Sequence, residues 1–78
     1  MQTAIVPVAV FPSTANVLAV DSLVGLPPSY RWTLRNGATA LSTGNGAITD
    51  AQFDAWTTQP TDDFILDCAA ANLGVKRT

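Results

Sequence analysis

Apolar and polar positions fall into two regimes along the chain. Up to residue 43 the spacing favours strands, and after residue 48 it favours helices. Residues 3–11 and 16–24 are rich in Val, Ile and Ala. They flank Pro12-Ser13-Thr14-Ala15, a turn-forming group, and are predicted to pair as strands. Pro7 has no N–H to give to a ladder, which places the first strand at a sheet edge or at a bulge. Gly25-Leu26-Pro27-Pro28 is a stiff break. Strict alternation follows in Tyr30-Arg31-Trp32-Thr33-Leu34-Arg35, and then Asn36-Gly37, the preferred pair for a two-residue hairpin turn. Closing the hairpin there sets Arg35 opposite Ala38, Leu34 opposite Thr39, Trp32 opposite Leu41 and Tyr30 opposite Thr43. One face then carries Tyr30, Trp32 and Leu34, and the other Arg31, Thr33 and Arg35, as in a half-buried antiparallel ribbon. Strands are expected at 3–11, 16–24, 29–35 and 38–43, with Gly44-Asn45-Gly46 ending the last.

The helical part opens on Thr49 and Gln52, three apart, which match a capping box. Ile48 before the cap and Phe53 after it match a hydrophobic staple, and Asp50 suits the helix dipole. This helix is expected over 50–57, stopped by Pro60. A second is expected over 62–73, starting near Thr61 with Asp62 and Asp63 in its first turn. Gly74 is placed to end it, and Lys76 and Arg77 just beyond complement its C-terminus. The alanines Ala69-Ala70-Ala71 allow a close approach to a sheet. The pattern predicts an α+β fold: a small antiparallel sheet of about four strands, then two C-terminal helices on its Tyr30/Trp32/Leu34 face. One domain over 1–78 is expected, with a strand pair over 1–28, the hairpin over 29–43 and helices over 49–74, because 78 residues only just support one core.

Composition narrows the chemistry. Hydrophobic residues make up 47% and charged ones 13%, which excludes an intrinsically disordered chain. There is no His and one Cys, so neither a Cys/His zinc site nor an intrachain disulfide can form. Cys68, in a helical context with no neighbouring base, reads as a buried structural thiol. All six acids are Asp, the net charge is −2 and the pI is near 4.4, which argues against an electrostatic nucleic-acid binder. Without His, Gly-x-Ser-x-Gly, Gly-x-Gly-x-x-Gly or a Walker A sequence, no familiar catalytic or cofactor motif is present. Asp62, Asp63 and Asp67 lack the loop of an EF-hand; two suit the helix dipole and Asp67 a solvated position. No catalytic residue, metal or cofactor is expected. The apolar N-terminus lacks a positively charged n-region, and prolines and Asp21 interrupt it. No run approaches the ~18–20 residues of a membrane span, so no membrane partner is expected.

The residues that could carry function lie on surfaces. The segment 4–11 is too apolar for an exposed edge strand, and only Pro7 guards it. Ile5, Val6, Val8 and Val10 are therefore candidates for an interface formed by strand pairing. Arg31 and Arg35, sharing one strand face, are candidates for contacts to an acidic surface that set orientation.

The stretches Ile48-Thr49-Asp50-Ala51-Gln52-Phe53-Asp54-Ala55-Trp56, Asp63-Phe64-Ile65-Leu66-Asp67-Cys68 and Ala71-Asn72-Leu73-Gly74-Val75-Lys76-Arg77 resemble small orphan proteins encoded in the structural-gene modules of tailed bacteriophages. In those proteins a sheet is followed by a capped helix ending near Trp and a final helix closing in Leu-Gly and a basic tail. The resemblance covers residues 30–77 and implies no site residue. It implies a non-enzymatic virion structural accessory, a head decoration protein or small head–tail or tail component, made in the host cytoplasm and incorporated in the virion. Its partners would be copies of itself, as a homo-oligomer, or larger virion proteins. The rival expectation is a small phage-encoded regulatory or inhibitory protein that binds one host protein.

Overall fold

The computed structural model describes residues 1–78 and has the α+β architecture. Four strands run β1 (Gln2–Val10), β2 (Ser13–Val24), β3 (Ser29–Asn36) and β4 (Thr39–Ala47), followed by α1 (Asp50–Ala55) and α2 (Thr61–Leu73). The sheet is an antiparallel meander in the order β1-β2-β3-β4, so β1 and β4 are its edges. Short connections between consecutive antiparallel strands produce this order directly.

Pro7 lies where the edge strand bulges, with Ile5, Val6 and Pro7 opposite Asn16 alone. The missing N–H therefore removes no ladder bond from the sheet interior. The turn between the first two strands is shorter than expected. Ser13, Thr14 and Ala15 pair with Val10, Ala9 and Val8, leaving only Phe11 and Pro12 to turn the chain.

The β3–β4 hairpin departs from its expected register. Asn36 pairs with Thr39, so the two-residue turn is Gly37-Ala38, with Gly37 supplying a φ of 56°. Arg35 faces Ala40 and Leu34 faces Ser42, so Leu41 forms a bulge. Trp32 consequently sits opposite Gly44, and Tyr30 opposite Gly46. Gly44-Asn45-Gly46 does not end the strand; it forms its second half. A Cβ on Gly44 would lie 2.6 Å from Trp32 Cζ2, and one on Gly46 would lie 2.7 Å from the Tyr30 ring. The two rings occupy the space that side chains at 44 and 46 would need.

The core lies between α2 and the face carrying Leu18, Val20, Tyr30 and Leu34, all buried. From α2 it takes Phe64, Ile65, Leu66, Cys68, Ala69 and Ala70. Ala69 is fully buried, in keeping with small residues letting a helix lie close to a sheet. The second helix alone buries residues in this way. The first is shorter than expected and carries none; Phe53 and Trp56 pack against the core only partly. Trp56 stacks on Phe64 at a centroid distance of 4.7 Å and donates from Nε1 to the Gln59 carbonyl at 2.7 Å.

The capping box forms reciprocally. The Gln52 N–H donates to Thr49 Oγ1 at 3.1 Å and the Thr49 N–H to Gln52 Oε1 at 3.0 Å. Gly74, at φ 76°, ends α2 in the left-handed conformation, and its N–H reaches Ala71 O while the Val75 N–H reaches Ala70 O.

Candidate interaction surface

With a four-stranded sheet covered on one face, three regions remain for contacts: the two edges and the bare face. The β1 edge is occupied in part by the chain itself. After Gly74 the backbone turns along β1, where the Val6 N–H donates to Lys76 O at 2.8 Å and the Thr78 N–H to Ala4 O at 3.2 Å. An antiparallel bridge joins Ile5 and Arg77 between them. Residues 75–78 thus act as a short fifth strand over the first half of the edge. The expectation of an open edge along 4–11 is corrected to this extent: only the part beyond Pro7 lacks a backbone partner.

Arg77 fixes this segment. Nε donates to Thr3 Oγ1 at 3.1 Å, Nη1 to Asp67 Oδ1 at 2.7 Å and to the Asp63 carbonyl at 3.3 Å, and Nη2 to Asp63 Oδ1 at 3.2 Å. These are the molecule's two ion pairs. Arg77 therefore does not serve the C-terminus of α2; it reaches back to that helix's first half, where acidic residues were expected to complement the dipole. Asp67 is not simply solvated. The hydrogen bond from Arg77 holds its carboxyl below the usual carboxylate range against the opposing effect of burial, and Gln59 Nε2 also donates to it.

The candidate interface side chains divide accordingly. Ile5 is 2% exposed and belongs to the chain's own core. Val6 is 47% exposed, whereas Val8 and Val10 are half-buried against the core. Arg31 and Arg35 lie on the bare face with Thr33 between them, as the alternation indicated. Arg31 Nε donates to Thr43 Oγ1 at 3.4 Å, and neither arginine forms an ion pair. The two do not join Lys76 and Arg77 in one basic patch, because Arg77 is committed to Asp63 and Asp67.

The β4 edge differs from β1. No backbone bond reaches it from beyond β3, and Thr39–Ala47 contains no charge and no proline. Nothing in the sequence pattern distinguished it as the open edge, since the closure of β1 depends on contacts between residues 70 or more positions apart. The pairing of Trp32 and Tyr30 with Gly44 and Gly46 left a signal, two aromatics and two glycines at the same spacing of two.

A shallow groove of about 240 Å³ beside α2 is lined by Gln52, Ala55, Gln59, Phe64, Asp67 and Cys68. Burial, reinforced by the Asp67 charge, raises the Cys68 pKa and favours the unreactive thiol. No group of three His, Cys, Asp or Glu side chains is placed to hold a metal ion. No helix is long and apolar enough to cross a membrane. No protein-family model, curated protein or solved structure matches the chain.

Proposed function

We propose that the chain is a non-enzymatic virion structural accessory of a tailed bacteriophage, a head decoration protein or a small head–tail or tail component, and that it works through protein–protein contacts. The supporting observation is the uncharged β4 edge on a sheet whose opposite edge is sealed over its first half by residues 75–78. Soluble proteins blunt open edges with charge, proline or bulges; here one bulge at Leu41 is the sole such guard, and the five residues Ser42–Gly46 beyond it have no backbone partner on the outer side. The resemblance of residues 30–77 to phage structural-module proteins supplies the setting. Arg31 and Arg35, free of ion pairs on the adjoining face, would orient the docked surface against acidic groups. A domain of this size draws only ~3–5 kcal/mol from its own core, so association would add materially to its stability.

Quantitative mass spectrometry of gradient-purified particles of the encoding phage tests this reading. The expected result is a fixed, multiple copy number per particle. Absence from particles, with recovery of a one-to-one complex with a host protein, would replace it with the inhibitor reading.

A further inference from the structure

The two sheet edges are treated differently, and this has a consequence for assembly. A sheet with two open edges can add copies head to tail without limit, whereas a sheet with one open edge closes after a single isologous contact. We propose that the chain pairs β4 with β4 of a second copy into a closed two-fold dimer of eight continuous strands, and that residues 75–78 are the plug that prevents growth from β1. This deepens the proposed function by naming the first partner, but it stands or falls on solution behaviour rather than on the presence of the chain in particles.

Three features select a second copy as the occupant. First, β4 is neutral throughout, so antiparallel self-pairing places no like charges opposite one another. Second, a continuous sheet needs opposed residues to share a face. A dyad at Gly44 meets that requirement, setting Ser42 opposite Gly46 and Thr43 opposite Asn45 of the other copy, all beyond the Leu41 bulge. Third, Trp32 is only half-buried and its ring lies over Gly44. A dyad there brings the two Trp32 side chains together across a pair of glycines and covers the apolar surface each leaves exposed. On β1 the corresponding region holds the bulge, Pro7 and the bridge to Arg77, leaving three residues beyond the plug.

Sedimentation over a wide concentration range tests the proposal with three proteins. The unaltered chain is expected to form a dimer that does not grow further. Asn45→Glu puts a carboxylate opposite Arg31 within the monomer, where it suits the fold. In the dimer it brings two like charges within about 8 Å across the dyad, and should weaken dimerisation by about tenfold or more with an unchanged circular dichroism spectrum. Deletion of 75–78 should yield species larger than the dimer, and adding Asn45→Glu to the deletion should cap them at a β1-mediated dimer. A monomer at all concentrations would overturn the proposal, as would a dimer indifferent to Asn45→Glu. Because the deletion could unfold the chain, Arg77→Ala serves as the milder unplugging variant and should show the same growth. If it loosens the plug, by exchange of the Val6 amide, and the dimer still does not grow, the plug function is refuted.

Discussion

Removing the Arg77 guanidinium tests whether the segment after α2 is an integral strand or an incidental contact. In Arg77→Ala the chain loses two ion pairs, at 2.7 and 3.2 Å, and hydrogen bonds to Thr3 Oγ1 and the Asp63 carbonyl. Both carboxylates are about half exposed, at 51% and 50%, so solvent screening limits each pair to roughly 0.2–1 kcal/mol. The two pairs share one guanidinium, whose ordering entropy is spent once. With the two bonds to the neutral acceptors Thr3 Oγ1 and the Asp63 carbonyl adding on the order of 0.5 kcal/mol, the expected loss is about 1–2 kcal/mol. For a domain of this size each kcal/mol lowers the melting temperature by roughly 4–8 °C. The effect should be local as well as global: the Val6 amide, bonded to Lys76 O, should lose hydrogen-exchange protection before the β2–β3 amides do. The pH dependence has a defined sign. The Asp67 carboxyl is held below its ordinary range by Arg77, so its contribution is present above the unfolded carboxylate value near ~3.9 and is lost as pH falls through the folded value. Arg77→Ala should flatten the acid limb of the stability profile. An unchanged melting temperature, with Val6 protection and the acid limb both intact, would refute the clamp.

Other substitutions address the features that set the fold. Gly44→Ala places a methyl 2.6 Å from Trp32 Cζ2; displacement of the ring should cost about 1–3 kcal/mol and shift the Trp fluorescence, read in a urea titration. Thr49→Ala breaks the capping box and should lower stability by about 1 kcal/mol; an unchanged denaturant midpoint would show that the box contributes nothing. Asn72 Nδ2 donates to Ala47 O at 3.1 Å and lies 3.2 Å from Tyr30 Oη, tying α2 to the end of β4. Asn72→Ala should therefore cost about 1–2 kcal/mol, seen as a lower melting temperature.

Local chemistry determined much of this protein. The strand alternation at Tyr30–Leu34, the reciprocal Thr49/Gln52 cap and the left-handed Gly74 each depend on neighbours within a few residues, so their patterns carried the element types and the buried sheet face into three dimensions. The edge position and bulge at Pro7 followed equally, because a residue without an N–H has few places in a sheet. The hairpin register was decided by tertiary packing. Asn36-Gly37 marked the turn, but the turn falls one residue later and the Leu41 bulge shifts the register again, so that Trp32 and Tyr30 lie over Gly44 and Gly46, where the rings leave no room for a Cβ. The identity of the open edge was likewise decided by packing. It depends on Arg77 meeting Thr3, Asp63 and Asp67 at once, a junction of three distant segments that exists only after α2 has docked on the sheet.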